Sequence, residues 1–300
     1  MILAIGSIAL DTTRTPFKTV KRTLGGAATF FSLSASHFAE VSVMGAVGAD
    51  FPPEHIELLK SHGIGVEGIA HLPGKTMFFD SEFSYDLYAR KVHATELNVY
   101  LDYEPIVPDG QKSPDYLYLG TLEPEKQLSV LGQCSKRPKF VLMDTIEFYI
   151  QAQREKLLAT LCKVDAMVLN DIEARMLCNE PNLFACARKI HAWGPKIVVI
   201  KKGENGSILF THDAVLPLPA FPLPSAVDPT GAGDSFAGGF FGHIARCGGR
   251  LDEKTLKEAI AYGTVMGAFA IEDFGVNRLV SITKKDIDAR YAKYKALLAI

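Results

Sequence analysis

Asp228-Pro229-Thr230-Gly231-Ala232-Gly233-Asp234-Ser235-Phe236-Ala237-Gly238-Gly239-Phe240 is the stretch on which the reading of this chain turns. Pro229 restrains the backbone before a tight turn, Gly231 and Gly233 open angles closed to other residues, and Ala232 adds little bulk. A periodic segment from Asp234 to Ala245 reads as a helix. Free N–H groups at such a helix start form an anion site. That site suits negative charge growing on a phosphoryl group in transfer. The helix dipole favours charge on Asp234, which predicts a carboxylate ionised near neutral pH and able to take a hydroxyl proton late in the reaction. The same residues also read as a helix cap after an ordinary turn. They match neither the GxxxxGK[ST] loop nor the early GxGxxG turn of dinucleotide-binding folds. Gly238 and Gly239, inside the helix, are expected to permit close helix–sheet contact.

Outward from this stretch, apolar strand-like runs alternate with helical patterns. The strands are expected at Ile2–Leu10, Val41–Val47, Tyr116–Leu119, Lys139–Met143, Ala166–Leu169 and Ile197–Ile200, with a late pair at Ser207–Phe210 and Ala214–Leu218. Helices are expected at Ala27–Phe38, Pro53–His62, Glu123–Cys134, Gln151–Leu161, Ile172–Cys178, Leu183–Trp193, Glu253–Ala270 and Lys284–Leu298. Such alternation predicts a layered α/β fold around a mostly parallel sheet. Residues 75–103 break the rhythm with aromatic and β-branched residues, and read as two or three antiparallel strands. Residues 12–23 are grouped with them, giving one α/β domain over residues 1–300 with a small β insertion.

Composition narrows the function. The 300 residues are 48% hydrophobic and 22% charged, with a formal net charge of -2, and no long Lys/Arg run marks a nucleic-acid footprint. No stretch has eighteen uninterrupted apolar residues, and the short N-terminal run reads as a buried strand, so a cytoplasmic protein without a membrane partner is expected. The five scattered cysteines carry neither a zinc nor a disulfide pattern.

The Asp228–Asp234 segment with Ser235, Phe236 and Gly238–Phe240 closely resembles the second signature of the ribokinase-like (PfkB family) carbohydrate kinases. That resemblance implies a three-layer Rossmann-like core with a β-sheet lid, ATP as donor and Mg²⁺ as cofactor. It assigns the anion hole to Gly231, Ala232 and Gly233 and the catalytic base to Asp234. It suggests a monovalent cation such as K⁺ beside Asp228 and Thr230. Gly25-Gly26-Ala27-Ala28-Thr29-Phe30 looks like the first family signature, where a glycine pair lets an acceptor approach the backbone. Sugar-handling relatives carry an Asn shortly after the pair, which is missing here. Asp11 matches an Asp that binds acceptor hydroxyls. Asn170 and Glu173 match the family's NxxE, which organises Mg²⁺ and its waters; unaided, the pair reads as a capping box. Asp144 is a further candidate for charge in the cleft. Lys202 and Gly203 fall in the nucleotide-side loop, and Asn277 is the candidate adenine neighbour. The acceptor implied first is a sugar or polyol, with a nucleoside as the alternative, and a non-catalytic binding protein on the same scaffold as a third reading. A homodimer through the lids is a further expectation of the resemblance.

Overall fold

Short aliphatic runs form strands buried on both faces, and amphipathic stretches between them form the covering helices. A computed structural model describes residues 1–299. In chain order the strands are β1 (Ile2–Ile5), β2 (Ala9–Arg14), β3 (Thr19–Gly25), β4 (Val41–Val47), β5 (Ile64–His71), β6 (Met77–Phe83), β7 (Arg90–Glu96), β8 (Tyr116–Leu119), β9 (Phe140–Met143), β10 (Ala166–Asn170), β11 (Ile197–Lys201), β12 (Ser207–Phe210) and β13 (Val215–Leu218). The α-helices are α1 (Ala27–Ala35), α2 (Pro53–Ser61), α3 (Pro124–Gln133), α4 (Glu147–Ala152), α5 (Arg154–Leu161), α6 (Asp171–Cys178), α7 (Leu183–Trp193), α8 (Ala232–Arg246), α9 (Glu253–Ala270), α10 (Asn277–Ser281) and α11 (Lys284–Leu298).

Nine strands form one sheet in the order β13-β12-β11-β10-β9-β8-β1-β4-β5. Pairing is parallel from β5 through β11, then antiparallel to β12 and β13. Side-chain alternation splits the core in two. Leu3 and Ile5 pack with Leu157, Leu177 and Ile190 of α5, α6 and α7. Ile2 and Ala4 face the other way, onto Phe31, Phe240 and Ile260 of α1, α8 and α9. The result is the expected ribokinase-like three-layer arrangement with a small β lid. The chain departs from β1 to opposite sides of the sheet, toward β4 and toward β8, and ligands in such sheets bind at the carboxyl ends of strands around that reversal.

A second sheet, β3-β2-β6-β7, is the lid. The expected antiparallel pair within residues 75–103 is β6 with β7, while β2, from the earlier segment, joins β6 in parallel, with Asp11 opposite Phe79. The predicted single strand Ile2–Leu10 divides: β1 belongs to the main sheet, Gly6–Ile8 crosses over, and β2 enters the lid. Edge strand β5 was not anticipated. Its Gly65 and Gly68 dilute the apolar pattern, and side chains there would press on Ser42 and Met44 of β4. Gly238 and Gly239 serve helix–helix rather than helix–sheet contact: a Cβ on either would lie 2.5 Å from the Phe31 carbonyl of α1 or 2.7 Å from the Tyr262 carbonyl of α9. Among the described residues no helix is long and apolar enough to cross a membrane.

Candidate active site

Helix α8 starts from Gly231, whose φ of 73° is left-handed and whose missing side chain makes room for the Phe30 ring. Gly233 has no positive φ. Its reason for being glycine differs from the one expected: a Cβ there would sit 2.9 Å from Lys201 Nζ. Ala232 donates its N–H to the Pro229 carbonyl at 3.2 Å, so it is committed to the turn. The N–H groups of Gly231 and Gly233 have no backbone partner among the described residues.

Asp234 occupies the first turn of α8. Burial raises its pKa to about 7; the Asp144 charge adds to the shift, and Lys201 and Arg90 oppose it. Desolvation dominates the shift, so where a carboxylate ionised near neutral pH is expected, the group titrates there instead. A base near neutrality is better matched to accepting a proton than a strongly acidic carboxyl.

Asp144 and Lys201, at the ends of β9 and β11, bear on it electrostatically, and Asn170 ends the strand between them, with Glu173 one turn into α6. Asp144, after β9, is buried and takes a 3.2 Å ion pair from Lys201 Nζ at the end of β11. Asn170, ending β10, and Glu173 form the predicted capping box: Glu173 N–H donates to Asn170 Oδ1 at 2.8 Å and Asn170 N–H donates to Glu173 Oε2 at 2.7 Å. Burial and the Asp144 charge lift Glu173 to about 8.

Asp11 enters from the lid side. It is buried, and its Oδ1 has no hydrogen-bond partner among the described residues. Burial brings its pKa to about 7, aided by Asp228 and Asp234 and opposed by the Gly26 N–H and Arg90. The space that Gly25 leaves is filled by the Asp11 carboxylate itself, and Gly26, at φ 94°, lies against the Ser7 carbonyl. The glycine pair thus seats Asp11 as well as opening the backbone. Arg90, at the start of β7, lies 5.4 Å above the Phe79 ring and bears electrostatically on both Asp11 and Asp234.

Asp228 is fully buried and accepts N–H bonds from Thr230 (2.9 Å) and Gly275 (3.1 Å), tying the turn to the loop before α10. Thr230 Oγ1 lies 3.4 Å from Thr13 Oγ1 of the lid. Lys202 leads into the Gly203–Asn205 3-10 turn and, among the described residues, its side chain has no hydrogen-bond or ion-pair partner. The cation that reaches the site is its neighbour Lys201. Parity could have found it, since Ile197 and Val199 face α8 and Lys201 follows in step. Gly203, at φ 55°, has open space beside it, and Asn277 is exposed at the first turn of α10.

Asp144 and Glu173 are oxygen donors held in low dielectric with a single lysine among them, a donor set that suits a hard divalent cation such as Mg²⁺. Among the described residues no three His, Cys, Asp or Glu groups could hold a metal alone.

The model of the pfkB family carbohydrate kinase matches residues 2–283. The chain belongs to this family. It is an ATP-dependent phosphotransferase of the ribokinase-like superfamily. A cytidine kinase of Thermococcus kodakarensis is 30% identical over 82% of this chain and 88% of its own length. A nucleoside kinase of Methanothermobacter thermautotrophicus is 28% identical over 91% and 90%. The Burkholderia thailandensis nucleoside kinase in complex with ADP-inosine superposes with a TM-score of 0.82 over 98% of this chain and 96% of that one, at 20% identity. The fructokinase of Vibrio cholerae gives 0.78 over 97% and 98%, at 15% identity. Both likenesses speak to the pfkB fold.

Proposed function

We propose that this pfkB-family kinase transfers the γ-phosphate of ATP to a hydroxyl of a nucleoside. The observation that carries the reading is the 30% identity to a cytidine kinase over 82% of the chain. Among the curated sequence relatives, two with sugar-kinase names align only in part: a deoxyribokinase over 37% of the chain and a probable fructokinase over 24%. The absence of an Asn after Gly25-Gly26 agrees with that balance, and the order of the two acceptor classes expected from the sequence is reversed.

In this reading Asp11 accepts hydrogen bonds from acceptor hydroxyls, which would satisfy its orphan Oδ1. Phe79, opposite Asp11 in the lid, and Arg90 above its ring would face that acceptor. Asp234 takes the hydroxyl proton as the new P–O bond forms. The Gly231 and Gly233 N–H groups receive charge on the transferring phosphoryl oxygens. Asn170, Glu173 and Asp144 would hold Mg²⁺ through its waters; the bound ion supplies charge neutralisation on the phosphates. Gly203 and Asn277 border the nucleotide, and Asp228 with Thr230 would flank a monovalent cation.

Turnover of ATP with cytidine, uridine, adenosine, inosine and guanosine, against free ribose and fructose, tests the assignment by coupled ADP release. A nucleoside is expected to exceed both sugars in kcat/KM by at least tenfold. A free sugar as the best acceptor would replace the nucleoside reading with the sugar-kinase one.

A further inference from the structure

Lys201 has more to do than neutralise a buried acid. As the last residue of β11 it points to the α8 side, in step with Val199 and Ile197. Its side chain is 16% exposed and its ammonium lies 3.2 Å from an Asp144 that is 5% exposed. Three carboxylates act on this one ammonium: Asp144, Glu173 and Asp234. A closed structural pair would match one cation to one anion. Here the cation is outnumbered and set against the turn that would receive a further anion.

Gly233 supplies the second observation. Its backbone angles would accept any residue, and alanine would favour the helix by about 1 kcal/mol. Yet the place of its side chain is taken by Lys201 Nζ, 2.9 Å from where a Cβ would stand. The glycine therefore brings an ammonium and a helix-start N–H within reach of the same ligand atom.

The geometry points to Lys201 as a catalytic residue that contacts the γ-phosphoryl oxygens during transfer, with Asp144 as the positioning residue that holds it ready. The inference rests on ATP-dependent phosphoryl transfer and is the same for a nucleoside or a sugar acceptor. In the step, the acceptor oxygen forms a bond to the γ-phosphorus and the bond from that phosphorus to the β,γ-bridging oxygen breaks. ADP keeps the bonding pair, the hydroxyl proton goes to Asp234, and Lys201 keeps its own proton while offsetting charge on the phosphoryl oxygens. An ammonium there also draws the negative donor into a cleft where carboxylates outnumber cations.

Steady-state kinetics of Lys201→Met, Lys201→Gln and Lys201→Ala provide the test, with ADP binding followed by calorimetry. The expected outcome is a kcat about a hundredfold to a thousandfold below the parent, with acceptor KM changed by less than about threefold. Added ethylamine should restore Lys201→Ala saturably, by at least about tenfold, because it returns an ammonium to the vacated space. The double variant Asp144→Asn/Lys201→Met should be no faster than Lys201→Met. Three results would overturn the assignment: kcat within about threefold of the parent in a folded Lys201 variant, recovery of activity in the double variant, or failure of ethylamine to restore Lys201→Ala. Lys201→Gln, one atom shorter than lysine, still offers a donor to Asp144, so it carries the kinetic test if Lys201→Met does not fold. A wrong acceptor class would appear in the unmodified enzyme's substrate preference and leave these ratios unaffected.

Discussion

Replacing Asp234 by Asn is expected to abolish turnover while making the empty protein more stable. The burial that lifts Asp234 from 3.8 to about 7 penalises its charged form in the folded state. A folded pKa above the unfolded one contributes stability that is present at low pH and lost as pH rises through the folded value. The shift spans roughly three pH units, each worth about 1.36 kcal/mol. Removing the charge should thus stabilise by on the order of 4 kcal/mol at pH 8 and on the order of 2 kcal/mol at pH 5.5, where the native carboxyl is already protonated. With an unfolding entropy of about 2.1 cal/mol/K per residue, 1 kcal/mol corresponds to about 1.6 °C for a chain of this size. Calorimetric melting should therefore show Asp234→Asn above the parent by about 6 °C at pH 8, and by about half that at pH 5.5. In the coupled assay kcat should fall by about a thousandfold or more if Asp234 is the base. An unchanged or lowered Tm at pH 8, or a gain that grows on acidification, would refute the electrostatic reasoning. An unchanged kcat would remove Asp234 from the proposed role.

Arg90→Ala withdraws the lid cation that lowers the pKa of both Asp11 and Asp234; the acid limb of kcat/KM, expected near pH 7 in the parent, should move to higher pH, as a rate profile from pH 5 to 9 would show. Gly233→Ala puts a methyl 2.9 Å from Lys201 Nζ and should lower kcat by about tenfold or more with little change in Tm, because its backbone angles are permissive. Asp228→Ala orphans the N–H groups of Thr230 and Gly275; a loss of about 2–4 kcal/mol in urea unfolding is expected, and a loss under 0.5 kcal/mol would show that the tie is dispensable.

Much of this arrangement was legible in the residues. The glycine turn before Asp234, the Asn170–Glu173 box and helices such as Leu183–Trp193 follow from local rules of capping and periodicity, and the structure places them as those rules require. What escaped was set by contacts between distant segments. Lys201 and Lys202 are neighbours in a charged pair, and which one faces the cleft depends on the register of β11 against β10 and β12. The purpose of Gly25 could not be read without knowing that Asp11 folds back beside it. The near-neutral carboxyls depend on how much water the surrounding layers exclude, a property of the whole site rather than of one motif.

The parallel pairing of β2 with β6 joins residues near position 11 to residues near position 79. A ribosome therefore cannot complete this cover until the second segment has emerged, long after the first crossing strand has been made. The same interleaving means that the cover is not a cassette. Swapping it between homologues would require exchanging two separated pieces together, and removing the second piece would leave the strand that carries Asp11 paired on one side only.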